Sequence, residues 1–195
     1  ERKREKQPDG KFITKETLLF PRYHQLSAVN ELVAAARREG AGHKYLLQHS
    51  AGSGKSNTIA WCAHQFATLH NENDEKVFDT VIVITDRTVL DDQLQETIKQ
   101  FHGAGDKVVG IDRRGGSKSK MLAKALKDGA LIVVVTLQTF PYILSEMREE
   151  GGLKDKRFAI IIDEAHSSQS GKAAHRTRQV LGSGEDEDDA EEKTV

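Results

Sequence analysis

Apolar positions along this chain follow two different patterns, and their alternation predicts the elements. Between residues 22 and 39 they stand at Leu26, Val29, Leu32, Val33 and Ala36, the three-and-four spacing of a helix with one buried stripe, closed by Gly40 and Gly42. Residues 55–70, about 88–101 and 118–128 read the same way, as do 141–149, where Pro141 suits a first turn. The second pattern is the short continuous apolar run. It occurs at Tyr45-Leu46-Leu47-Gln48-His49, at 80–85, near 108–111, at 131–135 and at 158–162. Runs of this length without alternation, most of them rich in β-branched residues, predict strands covered on both faces. Strands alternating with helices predict an α/β fold, a parallel β-sheet with helices on both faces.

Polar stretches mark the boundaries. Residues 1–17 carry the turn signal Pro8-Asp9-Gly10 and read as a linker or extended lead-in. Residues 71–79 and 113–117 read as loops, and 183–195 as an acidic, disordered tail. One domain is therefore expected over 18–182.

Composition narrows the class. With 195 residues, 37% hydrophobic and 30% charged, the chain can build one soluble core. No apolar run approaches the ~20 residues that cross a bilayer, so no membrane partner is expected. The N-terminal Glu1-Arg2-Lys3-Arg4-Glu5-Lys6 lacks the apolar stretch of a secretory signal. Cys62 is the single cysteine and lies in a helical apolar pattern, which predicts a buried thiol and a cytoplasmic location. The net charge of −1 hides a division: the tail carries −6, which leaves +5 on 1–182. A modestly basic body is compatible with nucleic acid but does not select it.

Two segments carry chemistry. His49-Ser50-Ala51-Gly52-Ser53-Gly54-Lys55-Ser56 matches the phosphate-binding pattern G-x-x-x-x-G-K-[ST] except that His49 stands where the first glycine belongs. Gly52, Ser53 and Gly54 let backbone N–H groups face an anion, and the helix opening at Lys55 adds its positive end. Lys55 can reach the β- and γ-phosphates of ATP, and Ser56 can ligate Mg2+. The alternative is a flexible Gly-Ser turn before a lysine. The second segment is Asp163-Glu164 at the end of the last apolar run. Carboxylates there face the crevice outside a parallel sheet. Asp163 would hold Mg2+, and Glu164 would orient and polarise the attacking water. The alternative is an acidic pair capping the next helix.

Further blocks carry a family resemblance. Asp163-Glu164-Ala165-His166 resembles the DEAH motif of superfamily 2 helicases and translocases. Arg22-Tyr23-His24-Gln25 resembles the motif in which a glutamine reads adenine, which implies nucleotide-binding roles for Arg22 and Gln25, with Phe20 or Tyr23 stacking on the base. The stretch from Thr85-Asp86-Arg87 to Leu94 and the block Thr136-Leu137-Gln138-Thr139-Phe140 resemble motifs that contact the nucleic-acid backbone. Taken with Ser167-Ser168-Gln169, these blocks are similar to the motor (restriction) subunit of type I restriction-modification enzymes over about residues 18–181.

The resemblance implies a RecA-like P-loop domain, the first of two, that binds ATP and Mg2+ and translocates double-stranded DNA. It implies partners as well: a second RecA-like domain and a nuclease domain in the parent chain, and the methylation and specificity subunits of the complex. DNA cleavage would belong to the parent. Arg87, Thr136 and Gln138 are the candidate DNA contacts, and His166 takes a coupling role between ATP and DNA. Arg87 could instead pair with Asp91 one turn on, and Thr136 and Gln138 could cap a helix. Two other functions stay open: an ATP-gated docking module without motor activity, and a DEAH-type RNA helicase domain.

Overall fold

The computed structural model describes residues 2–6, 12–16, 19–50, 52–85, 94–98, 108–110, 118–137 and 156–163. Its centre is a four-stranded parallel sheet. The strands are β3 (Thr80–Thr85), β4 (Val108–Gly110), β5 (Ile132–Thr136) and β6 (Phe158–Ile162), in the order β4-β5-β3-β6. Among the described residues, the helices α1 (Tyr23–Glu39), α2 (Lys55–Ala67) and α3 (Lys118–Lys127) accompany it. Residues 94–98 are also helical.

The continuous apolar runs explain the sheet. Every residue of β3 and β5 is buried, so both faces of these strands need apolar side chains. Alternation then sorts those side chains into two cores. Val81, Val83, Ile132, Val134, Ala159 and Ile161 pack with Val29 and Ala36 of α1 and with Ala60, Ala63 and Phe66 of α2. Ile82, Ile84, Val133, Val135, Ile160 and Ile162 pack on the opposite face with Ala125 and Leu126 of α3. Helices thus cover both faces, as the pattern predicts.

The lower ends of the strands are fixed by hydrogen bonds between neighbouring segments. Thr80 Oγ1 donates to Ala130 O at 2.9 Å, and the backbone N–H of Arg157 donates to Asp79 Oδ2 at 2.7 Å. The second helix ends at Ala67, three residues before the expected 70, and the polar loop after it buries Val77 and Phe78.

One expectation is corrected. Residues 45–49 are not a strand: among the described residues no ladder pairs with them, and Leu46 is 85% exposed. Apolar character cannot make a strand without a neighbour to take its N–H and C=O groups. The segment is instead tied to the end of α1 by Tyr45 Oη, which donates to Glu39 Oε2 at 2.6 Å. Within residues 1–17, the expected linker or extended lead-in, two strands form. β1 (Arg2–Lys6) and β2 (Phe12–Glu16) pair antiparallel, with Lys6 opposite Phe12, so the turn signal lies between them. The expected loop 113–117, the helix 141–149, the tail 183–195 and both ends of the helix 88–101 lie outside the described residues.

Candidate functional site

The glycine turn has the backbone its glycines allow. Gly52 and Gly54 sit at φ +71° and +85°, on either side of Ser53. Gly54 caps α2 in the left-handed region with no side-chain cap. The first N–H groups of a helix have no partner within it, so an uncapped start offers an anion both donors and a favourable dipole. Lys55 is the first residue of that helix and is half-buried, while Ser56 beside it is exposed.

Strand parity aims the carboxylate. Asp163 follows β6, and its N–H donates to Ile84 O at 2.9 Å, so the ladder with β3 continues to this residue. Its side chain has the parity of Ala159 and Ile161, which face α1 and α2. Asp163 therefore lies at the carboxyl edge of the sheet on the face that carries α2, whose N-terminus is the turn. Thr85 and Thr136, partners across β3 and β5, share that parity. This row stands where open α/β sheets hold ligands.

A hydrated Mg2+ fits these residues. Such an ion keeps several waters and takes one or two carboxylates besides phosphate oxygens. Asp163 supplies a carboxylate. Thr58 on the buried side of α2 and Thr85 at the end of β3 are 2% and 1% exposed, and neither hydroxyl has a partner among the described residues. Buried hydroxyls left with hydrogen-bonding capacity are the kind of group that an ion's water shell satisfies. No group of three or more metal-binding side chains forms among the described residues.

Gln25 is central, in a manner its sequence motif does not disclose. It is 3% exposed. Its Oε1 accepts from the N–H of Arg22 at 2.8 Å, closing the N-terminus of α1. Its Nε2 donates to Ser53 O at 3.3 Å and Gly54 O at 3.0 Å. The amide thus fastens α1 to the glycine turn, and both its ends are engaged. Arg22 itself is exposed, as are Phe20 at 77% and Tyr23 at 87%. Tyr23 and His24 line an open depression of about 660 Å3 between α1 and residues 44–47.

The histidines were not legible as site residues. His24 Nε2 lies 3.2 Å from Ser53 O, and His49 Nδ1 lies 3.2 Å from Ser53 Oγ. The two rings meet edge to face at 5.6 Å and 69°. Burial holds the His49 imidazole below its ordinary pKa, and the neighbouring His24 and Lys55 add to the effect. The departure from the glycine pattern at 49 was the one sequence signal.

Residues 24–184 match the SWI2/SNF2 ATPase family. The chain belongs to that family. It is also 28% identical over 127 residues, 65% of its length, to a Mycoplasma pneumoniae protein named as the C-terminal part of the endonuclease subunit of type I restriction enzyme MpnIIP. The match spans 57% of that relative. Membership makes this an ATP-using α/β domain, which agrees with the parallel sheet and the uncapped helix start after the glycine turn. No described helix is long and apolar enough to cross a membrane.

Of the residues the sequence points to, the structure joins Gln25 to the turn of Gly52, Ser53, Gly54, Lys55 and Ser56, while Asp163 follows β6 at the carboxyl edge of the sheet. Thr136 is 3% exposed. It ends β5 with the same parity as Ile132 and Val134. Arg87, Gln138, Glu164 and His166 lie outside the described residues.

Proposed function

We propose that this chain is the ATP-hydrolysing RecA-like domain of a double-stranded DNA translocase, the motor part of a type I restriction enzyme subunit. The observation that carries the ATPase site is the parity that sets Asp163 on the face of the sheet to which α2 brings Lys55. The similarity to a protein named for a type I restriction enzyme supports the narrower assignment, as do the motif blocks over 22–25, 85–94, 136–140 and 163–169.

In this reading the uncapped N–H groups of α2 and the Lys55 ammonium hold the polyphosphate. Ser56 and Asp163 hold Mg2+, which supplies charge neutralisation at the transferring phosphoryl group. Glu164 accepts a proton from the attacking water and orients it in line. Phe20 or Tyr23, both exposed, stack on the base. Arg87 and Gln138 contact the DNA backbone, and His166 links the two events. A second RecA-like domain contributes to firing hydrolysis, and the nuclease domain and the methylation and specificity subunits complete a cytoplasmic complex.

Calorimetric titration with Mg-ATP tests the site. The Lys55→Ala protein is expected to show no measurable binding, and unchanged affinity would remove the site assignment. Duplex DNA should stimulate ATP turnover by the parent protein. Stimulation by single-stranded RNA alone would favour an RNA helicase, and no response to either would favour a docking module.

A further inference from the structure

A turn built around two left-handed glycines has many conformations open to it, and only one presents its N–H groups to a polyphosphate. Something must select that one before the ligand arrives, or binding bears the cost of ordering it. Here every polar group of Ser53 is held from within the protein. Its N–H donates to Ser50 O at 3.3 Å, so it is not one of the groups turned to a ligand. Its carbonyl accepts from Gln25 Nε2 and lies within reach of His24 Nε2. Its hydroxyl meets His49 Nδ1. The two histidine rings then brace each other edge to face.

We infer that His49 and His24 are positioning residues that clamp Ser53, so that His49 takes over by hydrogen bonding the job of shaping the turn that the glycine pattern leaves to backbone freedom. The inference rests on the turn being a nucleotide phosphate site. Because Ser53 O is an acceptor, a hydrogen bond from His24 requires its proton on Nε2. Among the described residues, the titratable or charged groups acting on His49 are His24 on α1 and Lys55 on α2. Both disfavour an imidazolium at His49, so that ring grips the serine hydroxyl uncharged at neutral pH. Substituting glycine at 49 completes the motif on paper and removes the grip on the serine hydroxyl.

The test compares Mg-ATP affinity in the wild type, His49→Gly, His49→Asn and Lys55→Ala, with thermal unfolding of each. Asparagine places a polar atom close to the position of Nδ1. His49→Gly is expected to bind about three- to tenfold more weakly, the worth of one hydrogen bond, and His49→Asn to recover most of the loss. Equal affinity in His49→Gly and wild type overturns the clamp while leaving the site standing, provided Lys55→Ala abolishes binding. Equal loss in both His49 variants also overturns it, because packing of the ring would then be the cause. Binding retained in Lys55→Ala overturns the site and the clamp together. Should His49→Gly fail to fold, long-range proton–nitrogen NMR of the wild-type imidazoles decides. A His24 ring protonated on Nε2, with both rings shifting when Mg-ADP is added, supports the clamp. Rings unmoved by nucleotide overturn it.

Discussion

Replacing Gly54 with alanine should damage the glycine turn in two separable ways. The residue sits at φ +85° and ψ +36°, a conformation that costs an L-residue about 1–2 kcal/mol. The new methyl group would also stand 2.6 Å from Gln25 Nε2, well inside van der Waals contact. Gln25 is the tip of a flexible side chain, but it is 3% exposed and cannot swing into water. Displacing it breaks its bonds to Ser53 O and Gly54 O and strands a buried amide, at about 1–3 kcal/mol. Together the two effects predict a loss of about 2–5 kcal/mol. In a Gln25→Ala background the methyl group has nothing to strike, and only the backbone strain remains. Urea unfolding of the wild type, both single variants and the double variant therefore closes a cycle. The double variant should be more stable than the sum of the singles by about 1–3 kcal/mol. Additivity to within about 0.5 kcal/mol would refute the contact between Gln25 and the turn. A Gly54→Ala protein as stable as wild type would refute the left-handed cap as well.

Burial pushes the Cys62 thiol up to about 12 from an ordinary 9.0, so at pH 8 its thiolate fraction falls about a thousandfold. A disulfide reagent should leave the folded protein unmodified and react only after denaturant is added. His49 titrates below its ordinary 6.5, so as pH falls the unfolded chain takes up this proton before the folded one does. Its stabilising contribution is then full above about pH 6.5 and lost as pH drops through the lower folded value. The melting-temperature advantage of wild type over His49→Asn should shrink between pH 7 and pH 5, and a growing advantage would contradict this. Glu164→Gln should slow DNA-stimulated ATP turnover by about 10²–10⁴-fold while leaving Mg-ATP affinity within about twofold; unchanged turnover would remove Glu164 as the base.

The sequence alone determined the elements whose signal is local. The strands at 80–85 and 158–162 coincide with their apolar runs, and α1 and α3 begin and end within a residue of their periodic stretches, because a residue's period and its flanking glycines are properties of a short window. The glycine turn with its lysine was equally plain, since a motif is itself a local arrangement. Tertiary structure decided whatever depends on a partner distant in the chain. Residues 45–49 have strand-like composition and no ladder, while 2–6 and 12–16 have polar composition and pair. Parity set Asp163 and Thr136 on the α2 face. The Gln25 amide is engaged by atoms 28 and 29 residues away. His24 and His49 converge on one serine from two segments separated by 25 positions in the chain. Hydrogen bonds and packing form between neighbours in space, and a window of sequence contains only neighbours along the chain.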